Sequence, residues 1–281
     1  MNRQYIALLL VAIMLGPTAP ALGQDTTAAR RLHILVTNDD GFQAPGLRAL
    51  AEALFSIADI TVVAPYEQQS GTGHGISFRD PINVYDLTSS FGIPWHAVNA
   101  RPASVVRVAL FSIMDSLPDL VVSGINTGDN IGTNAWVSGT MAAAREAALW
   151  GIPALAFSVN LNGPDPYTVS AGWARQIVEQ LQADGRLHAP LLLNVNLQAT
   201  EPLGIKIAPM SLVMGVQTYD ERTAPYGQHY VWAEWIAPED DAIEGTDLYW
   251  YHRGYVTITP MSVDQTDPAE ISTLEMLFRQ P

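Results

Sequence analysis

Cysteine is absent from this chain of 281 residues. Its absence excludes thiolate metal sites, cysteine nucleophiles, disulfide bonds and lipid attachment at a cysteine. Basic side chains are also scarce: 14 Lys and Arg residues stand against 28 Asp and Glu residues, for a formal net charge of −14. Nucleic-acid backbones select basic surfaces, so this balance argues against a nucleic-acid polymer as a partner. A small anionic ligand stays open, since a bound metal ion reverses the local sign of charge.

Charged residues of both signs make up only 15% of the chain, below the roughly 25% of an average globular protein. Hydrophobic residues make up 48%. This composition favours a folded chain with a sizeable core over disorder. The length allows one large domain or two modest ones.

Residues 1–23 have the pattern of an export signal. An apolar run from Tyr5 to Leu15 is followed by Ala21 and Gly23, small residues at positions −3 and −1 of a cut after residue 23. The run has eleven residues, and a membrane-spanning helix needs about 20. We therefore predict that residues 1–23 are a cleaved signal peptide and residues 24–31 a flexible lead-in. The mature protein is then exported to the periplasm with no stable membrane anchor, and an uncleaved N-terminal anchor is the alternative.

Between residues 32 and 200, short apolar or β-branched runs alternate with helical patterns. The runs that predict strands are 32–37, 60–64, 120–123, 154–159 and 191–195, and the patterns that predict helices are 45–57, 102–116, 140–150 and 170–183. Strand–helix alternation with nearly continuous apolar strands is typical of a parallel sheet covered by helices on both faces. We therefore predict an α/β core with a mostly parallel sheet.

After residue 200 the pattern changes, and we predict a β-rich extension over 201–281. Tyr226 to Ala237 and Tyr249 to Thr259 have the pattern of strands, and Asp240 to Asp247 between them that of an acidic turn, as in a long hairpin. Eight of the 17 Trp and Tyr residues lie between Tyr226 and Tyr255. These aromatic residues suit half-buried strand packing, a subunit interface or, as a third alternative, the stacking of a nucleobase.

Three polar clusters each follow a predicted strand. They are residues 38–41, 67–71 and 123–126. In open α/β sheets ligands bind beyond the carboxyl ends of the strands, so clusters that are distant in sequence can converge at that edge. This edge of the sheet is the predicted functional site.

The first cluster contains two adjacent carboxylates, Asp39 and Asp40, which repel each other when both are ionised. A bound divalent cation removes that conflict, and the Ser70 hydroxyl and the Asn126 amide offer further oxygen ligands. An all-oxygen set suits a hard ion such as Mg²⁺, Mn²⁺ or Ca²⁺ rather than a thiolate-bound zinc. The alternative is structural, with Asp39 or Asp40 capping the helix that follows.

A second feature is Ser138-Gly139-Thr140, directly before an Ala-rich helical pattern. Backbone N–H groups at the start of a helix, together with Ser and Thr hydroxyls, make a site for phosphate. An ordinary Ser or Thr cap is the alternative. Combined with a metal ion, such a terminus could hold a phosphoryl group and stabilise the charge that develops on it.

The order of these motifs resembles that of the survival protein SurE family of nucleotidases. Asn38-Asp39-Asp40-Gly41, followed by Ala44-Pro45-Gly46, is similar to the family's opening signature. Further similar blocks are residues 64–71, 118–126 continuing to 144, 151–154, 245–247 and 254–260. The match runs from about Leu32 to Met261 in the family's order.

The resemblance implies a metal-dependent phosphomonoesterase, a 5′-nucleotidase that acts on nucleoside 5′- or 3′-monophosphates. It also implies a Rossmann-like three-layer sandwich with its catalytic core over 32–200, and a swapped C-terminal element in a homodimer or homotetramer. By position, the family's ligands for one divalent ion, expected to be Mg²⁺ or Mn²⁺, fall on Asp39, Asp40, Ser70 and Asn126. Asp39 and Asp40 are also the catalytic candidates, since either could orient or deprotonate the attacking water. The residues expected to contact phosphate or substrate are Asn38, Gly71, Ser138, Gly139 and Thr140.

Several positions depart from the family's pattern. Thr133 and Asn134 stand where the family has an acidic pair, and Val137 stands where a Tyr is common. Arg101 occupies part of a Gly-Thr-Pro motif, where it could contact an anionic substrate or be a surface charge. These changes leave the metal set intact but keep open an alternative function, an exported metal- and phosphate-binding protein with altered or lost turnover.

His74 is the only histidine near the predicted site, and a catalytic role for it also stays open.

Overall fold

The computed structural model describes residues 30–89, 92–236 and 243–279. The chain from Arg31 onward forms one compact unit. The predicted signal peptide, residues 1–23, and nearly all of the predicted lead-in lie outside the described residues. None of the helices in the three described ranges combines the length and the apolarity needed to cross a membrane.

A mostly parallel sheet forms the centre of this unit. The strands of the chain are β1 (Leu32–Thr37), β2 (Ala58–Pro65), β3 (Val84–Thr88), β4 (Pro94–Val98), β5 (Leu120–Thr127), β6 (Ala154–Val159), β7 (Leu192–Leu197), β8 (Ile205–Ile207), β9 (Val216–Thr223), β10 (His229–Ile236) and β11 (Val256–Pro260). Nine of them form one sheet in the order β3-β4-β2-β1-β5-β6-β7-β11-β8. The β3–β4 and β7–β11 pairs are antiparallel, and β9 and β10 form a separate antiparallel hairpin.

Helices cover both faces of the sheet. The helices of the chain are α1 (Pro45–Phe55), α2 (Pro102–Val108), which continues as a π-helical turn over Ala109–Ile113, α3 (Asn134–Val137), α4 (Gly139–Leu149), α5 (Pro166–Ala183), α6 (Asp247–Tyr251) and α7 (Pro268–Leu277). Helices α1 and α5 pack on one face, and α2 and α4 on the other. The predicted α/β class, a three-layer sandwich with a mostly parallel sheet, is confirmed.

The central strands are apolar because both of their faces meet helices. In β1, Ile34 and Val36 belong to the apolar cluster under α1 and α5, whereas Leu35 belongs to the cluster under α2 and α4. Side chains of a strand alternate between the two faces of the sheet. A strand buried on both faces therefore loses the apolar–polar alternation of a half-exposed strand and becomes a continuous apolar run.

Strand β5 is longer than the predicted run, which ended at Ser123. It continues to Thr127 and so includes Asn126. Its register against β6 shifts between Ser123 and Asn126. The sequence did not indicate this extension because Gly and Asn are poor strand formers.

Helix α5 begins at Pro166, earlier than the predicted start at Ser170. The Asp165 side chain accepts a hydrogen bond from Thr168 N at 3.2 Å, which caps the helix. Proline is favoured at the first helical position. The Asp-Pro pair therefore starts the helix one turn before the amphipathic pattern does.

The predicted strand from Tyr249 to Thr259 is wrong over its first half. Residues Asp247–Tyr251 form α6, and β11 starts at Val256. Thr246 caps α6 by accepting a hydrogen bond from Tyr249 N at 3.4 Å. The cap outweighs the strand preference of the aromatic run that follows it.

The predicted extension, residues 201–281, divides between two environments. Strands β8 and β11 join the main sheet, while β9 and β10 form a hairpin. The predicted hairpin between 226–237 and 249–259 is wrong, because β10 pairs with β9 and β11 pairs with β7 and β8. The predicted acidic turn lies partly outside the described residues. A boundary at residue 200 between a core and an extension stays a prediction.

Candidate functional site

The strand order reverses around β1, at the centre of the sheet. β1 pairs in parallel with β2 on one side and with β5 on the other. Ligands of open α/β sheets bind at the carboxyl end of such a reversal point. The polar turn of residues 38–41 follows β1 there, and Asn126 lies near the end of β5.

Asp39 is a buried carboxylate that faces the start of α4. Its exposed fraction is 3%. The Thr140 hydroxyl donates a hydrogen bond to Asp39 Oδ1 at 2.5 Å. A Cβ added to Gly139 would lie 2.7 Å from Asp39 Oδ2, so glycine is needed for the helix backbone to approach this closely. The first turn of α4, whose N–H groups lack partners within the helix, therefore lies against the Asp39 carboxylate.

Burial raises the pKa of Asp39 to about 6 from its ordinary value of 3.8. The hydrogen bond from Thr140 opposes this shift, and the nearby charge of Asp40 adds to it. Two adjacent carboxylates are unfavourable as anions here, and a divalent cation would remove that conflict. The structural alternative, in which Asp39 or Asp40 caps the next helix, is wrong, because the N-cap of α1 is Ala44 and no side chain caps it.

Asp40 follows β1, and Asn126 lies near the end of the neighbouring strand β5. Asp40 Oδ2 accepts a hydrogen bond from Thr127 N at 2.9 Å. Asn126 is 7% exposed, and its amide nitrogen donates to the Gly128 carbonyl at 2.7 Å. This bond holds the side-chain amide, whose oxygen is the atom that could bind a cation.

The loop that carries Ser70 packs against the backbone of Asp39. Gln69 N donates to the Asp39 carbonyl at 2.7 Å, and Gly73 N donates to the Val137 carbonyl at 3.0 Å. Between these two backbone contacts, Ser70 and Gly71 are exposed. The fold thus brings the three predicted polar clusters to one edge of the sheet.

The residues predicted to contact phosphate have different roles in this structure. The Ser138 hydroxyl accepts a hydrogen bond from Met141 N at 3.1 Å, so its side chain is an ordinary cap of α4. Asn38 is fully buried, and its amide nitrogen donates to the Gly41 carbonyl at 3.0 Å. Its amide oxygen has no hydrogen-bond partner among the described residues. An unpaired acceptor suits a cation or a water molecule better than a phosphate oxygen, so phosphate contact by Asn38 stays a prediction.

The oxygen atoms around Asp39 fit a hard divalent cation. In the described ranges, no group of three or more His, Asp or Glu side chains could hold a metal ion. A cation at this edge would therefore need the Ser70 and Asn126 oxygens in addition to the two carboxylates. Such a mixed set of carboxylate, hydroxyl and amide oxygens suits Mg²⁺ or Mn²⁺. Metal binding by these residues stays a prediction.

Asn130 was missed as a site residue. Its side-chain nitrogen donates to Ser158 Oγ at 2.7 Å and reaches Thr140 Oγ1 at 3.5 Å. Because Thr140 in turn donates to Asp39, Asn130 lies next in a buried chain of polar contacts behind the carboxylate. In the sequence, the only indication of its role was its place in the glycine-rich loop after β5. The sequence analysis used this residue only as part of the family resemblance.

His74 and Arg101 have contacts other than the predicted ion ligands. His74 Nε2 is 2.8 Å from Glu146 Oε2 in α4. Arg101 is exposed and packs beside Gly75, where an added Cβ would lie 2.6 Å from Arg101 Nη1. Both alternatives for Arg101, contact with an anionic substrate and a surface charge, stay open.

Comparison with known proteins agrees with this geometry. The family model described as Survival protein SurE matches residues 34–216. A protein of Geobacter metallireducens named 5′-nucleotidase SurE is 38% identical over 251 residues, which cover 87% of this chain and 96% of the relative. One of the same name from Polaromonas naphthalenivorans is 39% identical over 247 residues, which cover 84% and 93%.

A solved structure shows the same architecture. The crystal structure of the SurE protein from Aquifex aeolicus matches with a TM-score of 0.75 and 31% identity, over 87% of this chain and 99% of that chain. The family match includes the segments that build the site around Asp39, namely β1, the Ser70 loop, β5 and the start of α4. On the combined strength of fold, site and sequence, this chain belongs to the SurE family.

Proposed function

We propose that this protein is a metal-dependent nucleotidase that hydrolyses nucleoside 5′-monophosphates, with 3′-monophosphates as a second substrate class, to nucleoside and phosphate. One observation carries the proposal: the buried Asp39 carboxylate bonds to Thr140 and packs against the first turn of α4. A candidate cation site and a candidate anion site are therefore adjacent. The relatives named 5′-nucleotidase SurE supply the substrate class.

Asp39, Asp40, Ser70 and Asn126 would hold one Mg²⁺ or Mn²⁺ ion. The chemistry that such an ion supplies when bound is neutralisation of phosphoryl charge and activation of water. The unpaired amide oxygen of Asn38 offers an acceptor behind the same turn.

The chain's own groups orient the reaction around that position. The first-turn N–H groups of α4 that the Ser138 cap does not occupy would bind a phosphate oxygen and stabilise the negative charge that develops on it. Thr140 fixes Asp39 through Oδ1, and Thr127 N fixes Asp40 through Oδ2. Asp39 or Asp40 orients the attacking water or accepts its proton.

A phosphate-release assay tests this proposal. Purified protein is incubated with AMP and with a chromogenic phosphate ester, each with Mn²⁺, with Mg²⁺ and with excess chelator. Release that the chelator suppresses is expected. Release that is unaffected by the chelator would contradict metal dependence, whereas tight AMP binding without release would identify a binding protein of the same fold.

The C-terminal segment supports a homodimer or homotetramer. In the β9–β10 hairpin, Tyr226 is 97% exposed and Trp232 is 59% exposed. Helix α7 has no buried residue. Exposed apolar side chains grouped in this way are typical of a protein–protein interface. Light scattering is expected to give a multiple of the subunit mass, and a monomer mass would contradict the assembly.

Export is the third part of the proposal. Residues 1–23 are expected to be removed and the mature protein to reach the periplasm. Cell fractionation followed by N-terminal sequencing tests this. A mature N-terminus at Gln24 is expected, and an intact Met1 in the cytoplasmic fraction would contradict export.

A further inference from the structure

A fully buried carboxylate in α4, Glu146, lies outside the residues assigned above to the ion and the phosphate. His74 Nε2 lies 2.8 Å from Glu146 Oε2. Arg107 Nε and Trp150 Nε1 each donate to Glu146 Oε1 at 2.6 Å. Donors from three different segments therefore meet on one carboxylate.

These donors keep Glu146 ionised in spite of its burial. Burial by itself would raise the pKa of Glu146. The hydrogen bonds from His74, Arg107 and Trp150, together with the charge of Arg107, hold that pKa below its ordinary value. A buried anion that loses a donor is destabilised, so each of the three contacts is held firmly.

His74 lies in a different part of the structure from the other two donors. Arg107 lies in α2, and Trp150 directly follows α4, so both belong to the helical layer over the sheet. His74 lies in the loop that carries Ser70, four positions further along the chain. The stretch from Ser70 to His74 is attached at one end through Gln69, which bonds to the Asp39 backbone, and at the other through Gly73, which bonds to the Val137 carbonyl, and through the His74 side chain.

We propose that His74, held by Glu146, is a positioning residue that fixes Ser70 beside Asp39 for metal binding. This inference rests on the proposed function and adds to it a residue that does not touch the ion. Gly71 and Gly73 both have positive φ angles, +73° and +53°, so the backbone between Ser70 and His74 is intrinsically free to adopt other conformations. A side-chain contact beyond the two glycines restricts that freedom.

Metal affinity measured without substrate tests the inference directly. Calorimetric titration of the purified protein with Mn²⁺ gives a Kd that does not depend on turnover. His74→Ala is expected to raise this Kd by about tenfold or more, the range found when residues that orient metal ligands are removed. His74→Gln should restore most of the affinity, because its amide nitrogen can donate to Glu146 from near the position of Nε2.

Trp150→Phe is the matched control. It removes one donor from the same carboxylate and keeps an aromatic ring, but it does not touch the Ser70 loop. Its Kd for Mn²⁺ should change by much less than about tenfold. If His74→Ala does not fold, as judged by circular dichroism, His74→Asn replaces it, because its shorter amide does not reach Glu146.

Three results would overturn the inference. Wild-type Mn²⁺ affinity in His74→Ala or His74→Asn would show that the contact does not position Ser70. An equal loss in Trp150→Phe would assign the effect to the packing of Glu146 alone. A wild-type protein that neither binds Mn²⁺ nor releases phosphate would contradict both the proposed function and this inference. Normal wild-type activity together with an unchanged Mn²⁺ Kd in the His74 variant would contradict the inference only.

Discussion

The start of α4 and the β9–β10 hairpin are built in opposite ways. At the start of α4, Asp39 and Thr140 are buried and bonded to each other, with glycine allowing the close approach of the helix. On the hairpin, Tyr226 and Trp232 are mostly exposed. A small ion would relieve the buried charge of the first region, whereas the second would need a large apolar surface. The proposed chemistry and the proposed assembly thus lie in different parts of the same chain.

The burial of Asp39 also has a cost in the free energy of folding. The raised pKa of Asp39 shows that its charged form is unfavourable in the folded chain. Functional sites commonly contain groups that lower the free energy of unfolding in this way. Substitutions at the start of α4 should therefore change the free energy of unfolding by more than substitutions on the hairpin.

The largest expected effect is a pH-dependent gain in stability from Asp39→Asn in the metal-free protein. The folded pKa of Asp39, about 6, lies above the ordinary value of 3.8 expected in the unfolded chain. The free energy of unfolding of the wild type therefore falls as the pH rises from 3.8 through 6. Above that range, the fall due to Asp39 amounts to about 3 kcal/mol. The variant carries no such charge, so it should be more stable by up to this amount at high pH and not at low pH.

Urea unfolding in chelator at about pH 4.5 and about pH 8 measures this difference. Glu234→Gln, on the exposed hairpin, is the control and should change the free energy of unfolding by less than about 0.5 kcal/mol at both values. A gain from Asp39→Asn that is the same at both pH values would contradict the account.

The next effect in size comes from Gly139→Ala. The added Cβ would lie 2.7 Å from both Cβ and Oδ2 of Asp39, so the free energy of unfolding should fall by about 1–3 kcal/mol. Gly172, in α5, is the matched control, because no described atom lies within 4 Å of its added Cβ. Gly172→Ala should raise the free energy of unfolding by about 0.5–1 kcal/mol. Chemical denaturation measures both, and equal effects would show that Gly139 is not a close-approach position.

The smallest effect is expected on the hairpin. Tyr226 is 97% exposed, so Tyr226→Ser should change the free energy of unfolding by less than about 0.5 kcal/mol. Turnover per subunit should stay near that of the wild type, while light scattering at low protein concentration should shift towards the monomer mass. Loss of turnover in this variant would show that the hairpin contributes to the site and would remove the contrast between the two regions.

The buried elements of the fold could be predicted from the sequence. β6 was predicted at its observed bounds, and α4 within one residue at each end, because apolar runs and a Ser-Gly start define them locally. β3 was not predicted, since all five of its residues are exposed and it lacks the continuous apolar run that marks the buried strands. α6 was missed because its cap competes with a strongly aromatic sequence.

The site could be predicted only in part. Asp39, Asp40 and Asn126 follow or end strands, so a parallel sheet brings them to one edge. The contact of Asp39 with Gly139 joins residues 100 positions apart, and no local pattern indicates it. The pairing of His74 with Glu146 depends in the same way on how α4 packs over the sheet. The Ser138 cap, by contrast, is a local contact and was one of the two alternatives stated from the sequence.

The most direct test of the central claim is phosphate release from AMP in Mn²⁺ by the wild type, by Asp39→Asn and by Asp59→Asn. Asp59 is an exposed carboxylate that pairs with Arg31 at 3.0 Å, so its substitution controls for the loss of one acidic charge. The account predicts that the Asp39→Asn variant folds but has a turnover more than about 100-fold lower than that of the wild type. The reason is that Asp39 is itself a proposed ligand of the ion and not a residue that orients a ligand. Asp59→Asn should keep wild-type turnover. Wild-type phosphate release from a folded Asp39→Asn variant would contradict the claim that this carboxylate holds the catalytic ion.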